Sequence, residues 1–211
     1  TILKQFTANL QDHCRNWKMK DMPMSDYDIY ETFRNNKSTL KECSKDNSDP
    51  NCIKFMTESQ LEVINFDMVK TKYTNALKLS EECAASVDAL LQADEASVFI
   101  EFKNGNLSGQ AAKQNMKNKI RDSLLLFCGL TKQTIRDTRE NLDFILVYNE
   151  EKNHSHNRPK KDEVSDSPSR IEIGSHFLCK GNEELIQFGL ERYKHLYFRE
   201  VHTYTKAEFD K

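Results

Sequence analysis

The sequence lacks any apolar run approaching the roughly 18 residues that cross a bilayer, and no charged-then-apolar leader opens it. The expectation is therefore a cytoplasmic protein that leaves membranes alone. No sign of charge dominates either: 31 Lys and Arg stand against 33 Asp and Glu, a formal net charge of −2. That balance excludes a protein that coats nucleic acid with its whole surface, so any polyanion site must be a local patch. Paired cysteines are also missing. Cys14, Cys43, Cys52, Cys83, Cys128 and Cys179 stand far apart, with no CxxC and no His at ligand spacing, which argues against structural zinc and for reduced thiols. Cys83 and Cys128, in apolar context, read as small core residues. No Gly-rich phosphate loop, GxSxG or HExxH occurs, so nucleoside-triphosphate hydrolysis and the common hydrolase triads are disfavoured.

What is present is enough for a core. Of 211 residues, 37% are hydrophobic and 12 are Phe, despite a charged fraction of 30%; a chain of this size typically buries roughly 70% of its unfolded surface. Ile2, Leu3, Phe6 and Leu10 recur at helical steps over 2–13, and Ile29, Tyr30 and Phe33 do so over 27–33. The turn-rich stretch 45–51 reads as a loop, and Asp67 is placed to cap a helix over 67–79. Strands are expected at 86–91 and 98–103, then a turn at Asn104-Gly105 and a long helix over 110–127 ended by Gly129. The apolar segment 142–148 shows little alternation, as a strand covered on both faces would. A flexible loop is expected at 153–170, then a strand at 171–173, a helix over 182–194 and a strand near 197–204. Thr205 and Glu208 form a capping-box pattern for a last helix. This order is α/β, divided into a helical N-terminal extension over 1–66 and an α/β domain over 67–211.

Chemistry concentrates in the first strand pair. Side chains alternate along a strand, so Phe99, Glu101 and Lys103 share one face while Val98, Ile100 and Phe102 share the other. The second set is apolar and seeks a core. Asp88 lies between Val87 and Ala89 in the preceding strand, so pairing of the two strands brings Asp88 and Glu101 together. Two converging carboxylates make a hard-cation site of the kind Mg²⁺ or Mn²⁺ takes. A nearby Lys can orient an attacking water or stabilise charge on a phosphate. The competing reading leaves Glu101 and Lys103 on the solvated face of an edge strand, pairing for little energy. A second copy of the pattern, Asp143, Glu150 and Lys152, runs past the end of an apolar strand into a polar loop, where charges are simply solvated.

Asp88, a gap of twelve residues, then Glu101-Phe102-Lys103 on a strand entering a turn and a helix resembles the PD-(D/E)XK nuclease superfamily. The resemblance covers roughly residues 67–150, and VFIEFKNG, IRDSLLLF and LDFILVYNEEK resemble a bacterial branch of it. It implies a restriction-endonuclease-like fold, a mixed central sheet flanked by helices. It also implies that Asp88, Glu101 and the Phe102 carbonyl bind Mg²⁺ or Mn²⁺, and that Lys103 helps activate water for phosphodiester hydrolysis, of DNA more than RNA. Two departures stand out: Val87 replaces the proline before the first carboxylate, and the extra carboxylate often supplied by the first helix has only Glu81 and Glu82 as candidates. The alternative is an inactive nuclease-like fold serving as an immunity or regulatory module with a protein partner.

The helix after the turn carries Met116, Ile120, Leu124 and Phe127 as its apolar stripe, and Lys113, Lys117 and Arg121 at four-residue steps on another side. That basic stripe is the expected nucleic-acid contact, since phosphate contacts supply most non-specific affinity. Lys119 and Asp122 read as a local pair. His154 and His156 read as a solvated loop, and Trp17 as a helix anchor.

Overall fold

Every side chain from Leu142 to Tyr148 is buried, and the other described strands of the main sheet lie on either side of that strand and its neighbour. The computed structural model describes residues 29–47, 52–92, 96–153 and 186–210. Its elements are α1 (Ile29–Arg34), β1 (Lys37–Thr39), α2 (Leu40–Cys43), a small hairpin of β2 (Lys45–Asp46) and β3 (Lys54–Phe55), β4 (Glu62–Asn65) and α3 (Phe66–Ala76). Then follow β5 (Ala89–Gln92), β6 (Ser97–Lys103), α4 (Gln110–Thr131), α5 (Ile135–Asn141), β7 (Leu142–Tyr148), β8 (Val201–Thr205) and α6 (Lys206–Phe209). The main sheet is six-stranded in the order β1-β4-β5-β6-β7-β8. Its first four strands pair antiparallel, whereas β6–β7 and β7–β8 are parallel. A parallel pair needs a long crossover, and α4 with α5 supplies it between β6 and β7. The fold is α/β with a mixed sheet flanked by helices.

The two faces of the sheet carry separate apolar clusters. One holds Phe66, Val69, Leu90, Phe99, Phe144 and Leu146 under Ile120 and Phe127 of α4. The other holds Ala89, Leu91, Ile100, Phe102 and Val147 with Leu40, Tyr204 and Phe209. Phe99 centres the first, its ring 5.1 Å from Phe66 and 5.5 Å from Phe127. The alternation expected within β6 is therefore the one observed, and β6 is an interior strand.

Several boundaries differ from the sequence expectations. Strands β1 and β4 belong to the main sheet, so residues 37–39 and 62–65 are not part of a separate helical extension; the helix expected over 2–13 lies outside the described residues. Helix α3 is capped by Asn65, whose side chain accepts from the Met68 N–H, leaving Asp67 in the first turn where its charge suits the helix dipole. Helix α4 runs through Gly129 and stops at Lys132, which itself takes a left-handed φ of 58°. Burial of Leu130 against the sheet outweighs the glycine's preference for a helix end. Residues 186–194 hold a turn and a 3₁₀ segment at Glu191–Tyr193 instead of the end of an α-helix. Cys83 is exposed and Cys128 half-buried. The loop expected from 154 on, the strand at 171–173, and His154 and His156 lie outside the described residues. No helix among them is long and apolar enough to cross a membrane.

A candidate metal and phosphate centre

Asp88 immediately precedes β5, whose Ala89 faces Ile100 of β6. One residue further along that antiparallel register, Asp88 comes opposite Glu101 and on its face. The Asp88 carboxylate finishes the ladder where the strand ends: its Oδ2 accepts the Phe102 N–H at 2.6 Å. Its main-chain carbonyl accepts from the Phe66 N–H at 3.1 Å. Strand edge and helix start thus fix the first carboxylate from both sides. Glu101, in the middle of the sheet, is wholly buried, which overturns the solvated-face reading.

Helix α4 closes the cluster from above. Ser123 Oγ accepts the Val87 N–H at 2.8 Å and Asp122 Oδ2 accepts the Ala85 N–H at 3.0 Å, so this flank is docked along residues 85–87. Lys119, one turn before Ser123, points its ammonium between the two acids. It donates to Asp88 Oδ1 at 3.1 Å and to Glu101 Oε2 at 3.0 Å. Glu101 Oε1 lies closer, at 2.7 Å from the same nitrogen, an ion-pair contact in which it makes no hydrogen bond among the described residues. Both carboxylates therefore converge on one point.

Burial first, then the neighbouring Asp88 charge, pushes the Glu101 carboxyl up to about 8, against the opposing pull of Lys119 and Lys103. Asp88 is raised as well, chiefly by burial and against Lys119. For Lys119 burial acts downward, but Glu101 and Asp88 outweigh it and hold the amine above the ordinary lysine range. Asp67, which accepts the Ser86 hydroxyl, adds negative potential to both Asp88 and Lys119.

The expected site residues separate into two groups. Asp88, Glu101 and Lys103 meet on one face; Lys103, at the half-buried end of β6, acts on Glu101 through its charge. The Phe102 side chain turns to the opposite face, its ring 5.8 Å from Phe209, while its carbonyl leaves the strand on the edge facing Asp88. Glu81 and Glu82 are exposed in a 3₁₀ turn, so Asp67 is the acid nearer the pair. Lys113 and Lys117 lie on the other flank of α4, around a cavity of about 70 Å³ that they share with Leu146, Phe188, Arg192 and Tyr193. Arg192 is held there by its Nε donating to the Gly189 carbonyl at 2.6 Å, a pose that a Cβ at Gly189 (φ +69°) would obstruct. Arg121 instead donates to the Lys117 carbonyl and to Asn118. The other acidic pattern disperses. Asp143 is buried against Arg199 at 2.9 and 2.8 Å, with Glu150 and Lys152 exposed beyond the strand.

Lys119 is the residue that sequence reasoning passed over. Pairing it with Asp122 ignored its position three residues after buried Met116 and four before buried Ser123, a spacing that puts a side chain at the margin of the core-facing stripe. Among the described residues no group of three or more His, Cys, Asp or Glu side chains is arranged to hold a metal ion. The donors at hand are two carboxylates and one main-chain carbonyl, and Mg²⁺ typically takes one or two carboxylates and keeps the rest of its shell for water and phosphate. As placed, the Lys119 ammonium fills the space between the two carboxylates. No protein-family model, curated protein or solved structure matches the chain.

Proposed function

We propose that this protein is a divalent-metal-dependent nuclease of restriction-endonuclease-like fold that hydrolyses phosphodiester bonds, in DNA more than RNA. The observation that carries the reading is the convergence of Asp88 and Glu101 on a single cation position, with Lys103 on the same face. Asp88, Glu101 and the Phe102 carbonyl would hold Mg²⁺ or Mn²⁺, which when bound supplies Lewis-acid polarisation of a phosphoryl oxygen. Lys103, at the open end of the strand, would orient the attacking water or neutralise charge developing on the phosphate. The preference for DNA rests on the sequence resemblance alone.

A second reading has its own observation. Lys119 already neutralises part of the acidic pair, as in a structural ion triad, and that arrangement suits an inactive centre in a protein-interaction module. Cleavage of single- and double-stranded DNA and RNA in Mg²⁺, Mn²⁺ or EDTA separates the two. The expected result is metal-dependent cleavage that falls on the order of 100-fold or more in Glu101→Gln. No cleavage by the parent of any of the four substrates, in either metal, awards the case to the interaction module.

A further inference from the structure

The ammonium of Lys119 occupies the place where a cation would bind. It stands 3.1 Å from Asp88 Oδ1 and 2.7 Å from Glu101 Oε1, so a divalent ion touching the same oxygens would be in contact with it. An ammonium has three directional donors; here it pairs with Glu101 Oε1 at 2.7 Å and donates to Asp88 Oδ1 and Glu101 Oε2. A spherical ion has no such directional demand and can take both oxygens of one carboxylate. We infer that Lys119 is a resident counter-cation that keeps the metal position closed, and that a divalent ion binds only as this side chain withdraws. The inference rests on the same site as the nuclease reading but not on its chemistry.

The local structure allows the exchange. The Lys119 side chain is 21% exposed while Glu101 has no exposure, so the amine lies on the solvent side of the buried acid, on a flexible four-carbon stem. Exposed Asp67, whose charge already acts on Lys119, offers negative potential at the mouth. Without metal, the same ammonium keeps buried Glu101 and half-buried Asp88 from facing each other uncompensated, a destabilising arrangement. One residue would thus maintain the empty fold and set a threshold for metal.

Mn²⁺ alone is the probe. Lys119→Met should bind Mn²⁺ about 10-fold more tightly than the parent or better, because no internal cation competes, and Mn²⁺ should raise its unfolding temperature more than the parent's. In the parent, the Lys119 amine should be protected from an acylating reagent in EDTA and label at least about 10-fold faster once Mn²⁺ saturates the site, read by peptide mass spectrometry. Unchanged or weaker Mn²⁺ affinity in Lys119→Met overturns the inference. So does equal protection of Lys119 in the Mn²⁺-loaded parent, which remains decisive if the variant does not fold. Absence of Mn²⁺ uptake by the parent and by every folded Lys119 variant overturns it too. A parent that cleaves nucleic acid while Lys119→Met binds no more tightly defeats this inference and leaves the nuclease standing. A parent that never cleaves while Lys119→Met gains Mn²⁺ does the reverse.

Discussion

Glu101 sets the pH behaviour of the metal-free protein. In the unfolded chain its carboxyl ionises near 4.5, but in the fold it is pushed up to about 8, first by burial and then by Asp88. Between those values the folded state keeps a proton that the unfolded chain has released, so stability falls as pH rises and levels off above about 8. Asp88 is raised too and acts in the same sense. Raised thiols at Cys43 and Cys128 act only in more alkaline solution. In EDTA, the urea midpoint of the parent should therefore decline between about pH 5 and about 8, while Glu101→Gln should show a much flatter profile and match or exceed the parent at the alkaline end. Equal slopes for the two proteins would remove Glu101 from this role. The face of Glu101 was legible from parity within VFIEFK. Its complete burial was not, because nothing in those six residues says which strand will lie inside a six-stranded sheet.

Elements with strong internal signals were legible and those that depend on distant partners were not. The apolar run of β7, broken only by Asp143, required cover on both faces, and the Thr205–Glu208 capping box is made as the sequence spells it. The same device at Thr134 and Asp137 starts α5, a seven-residue helix with a single apolar residue, Ile135, and so without a periodic stripe to announce it. Strands β1 and β4 are three and four residues long, and their sheet partners lie far along the chain, so local periodicity carries little of them. Asp143 illustrates a residue whose role only its element reveals. At the start of β7 it is 2% exposed, with Arg199 bridging it from the segment before β8 and the Glu200 N–H donating to it at 3.2 Å. Arg199→Met leaves that carboxylate buried without its cation. The loss should be about 2 kcal/mol, below the roughly 3–5 kcal/mol of a fully enclosed pair, because the Arg199 side chain is 42% exposed and water reaches it. Asp143→Asn combined with Arg199→Met should recover part of the loss in urea unfolding. A double variant no more stable than Arg199→Met would mean that the bidentate geometry, not the charge, holds β7 to β8.

At the scale of the molecule, the question is how a chain of net charge −2 would hold a polyanion. The sequence offered one basic stripe, Lys113, Lys117 and Arg121, and placed it beside the acidic pair. The fold puts α4 between them: Lys119 faces Asp88 and Glu101, while Lys113 and Lys117 border the cavity with Arg192, Phe188 and Tyr193. Arg192 joins from 79 residues beyond Lys113, a juxtaposition no spacing rule could foresee. Three cations around an aromatic-walled hollow suit a phosphate with a base stacked beside it, whereas Arg121 is engaged with its own helix. Lys113→Glu, Lys117→Glu and Arg192→Glu together should weaken binding of single-stranded DNA at least about 10-fold and reduce the slope of log affinity against log salt by up to about 2. Mn²⁺ affinity should stay within about twofold, because Lys113, Lys117 and Arg192 are not among the main charges acting on Asp88 or Glu101. Arg121→Glu alone should do far less. Filter binding or fluorescence anisotropy across a salt series reads both quantities. A triple variant with the parent's affinity and slope would mean that the groove carries no phosphate. Loss of Mn²⁺ affinity in step with DNA affinity would instead mean that the substitutions disturb α4 as a whole.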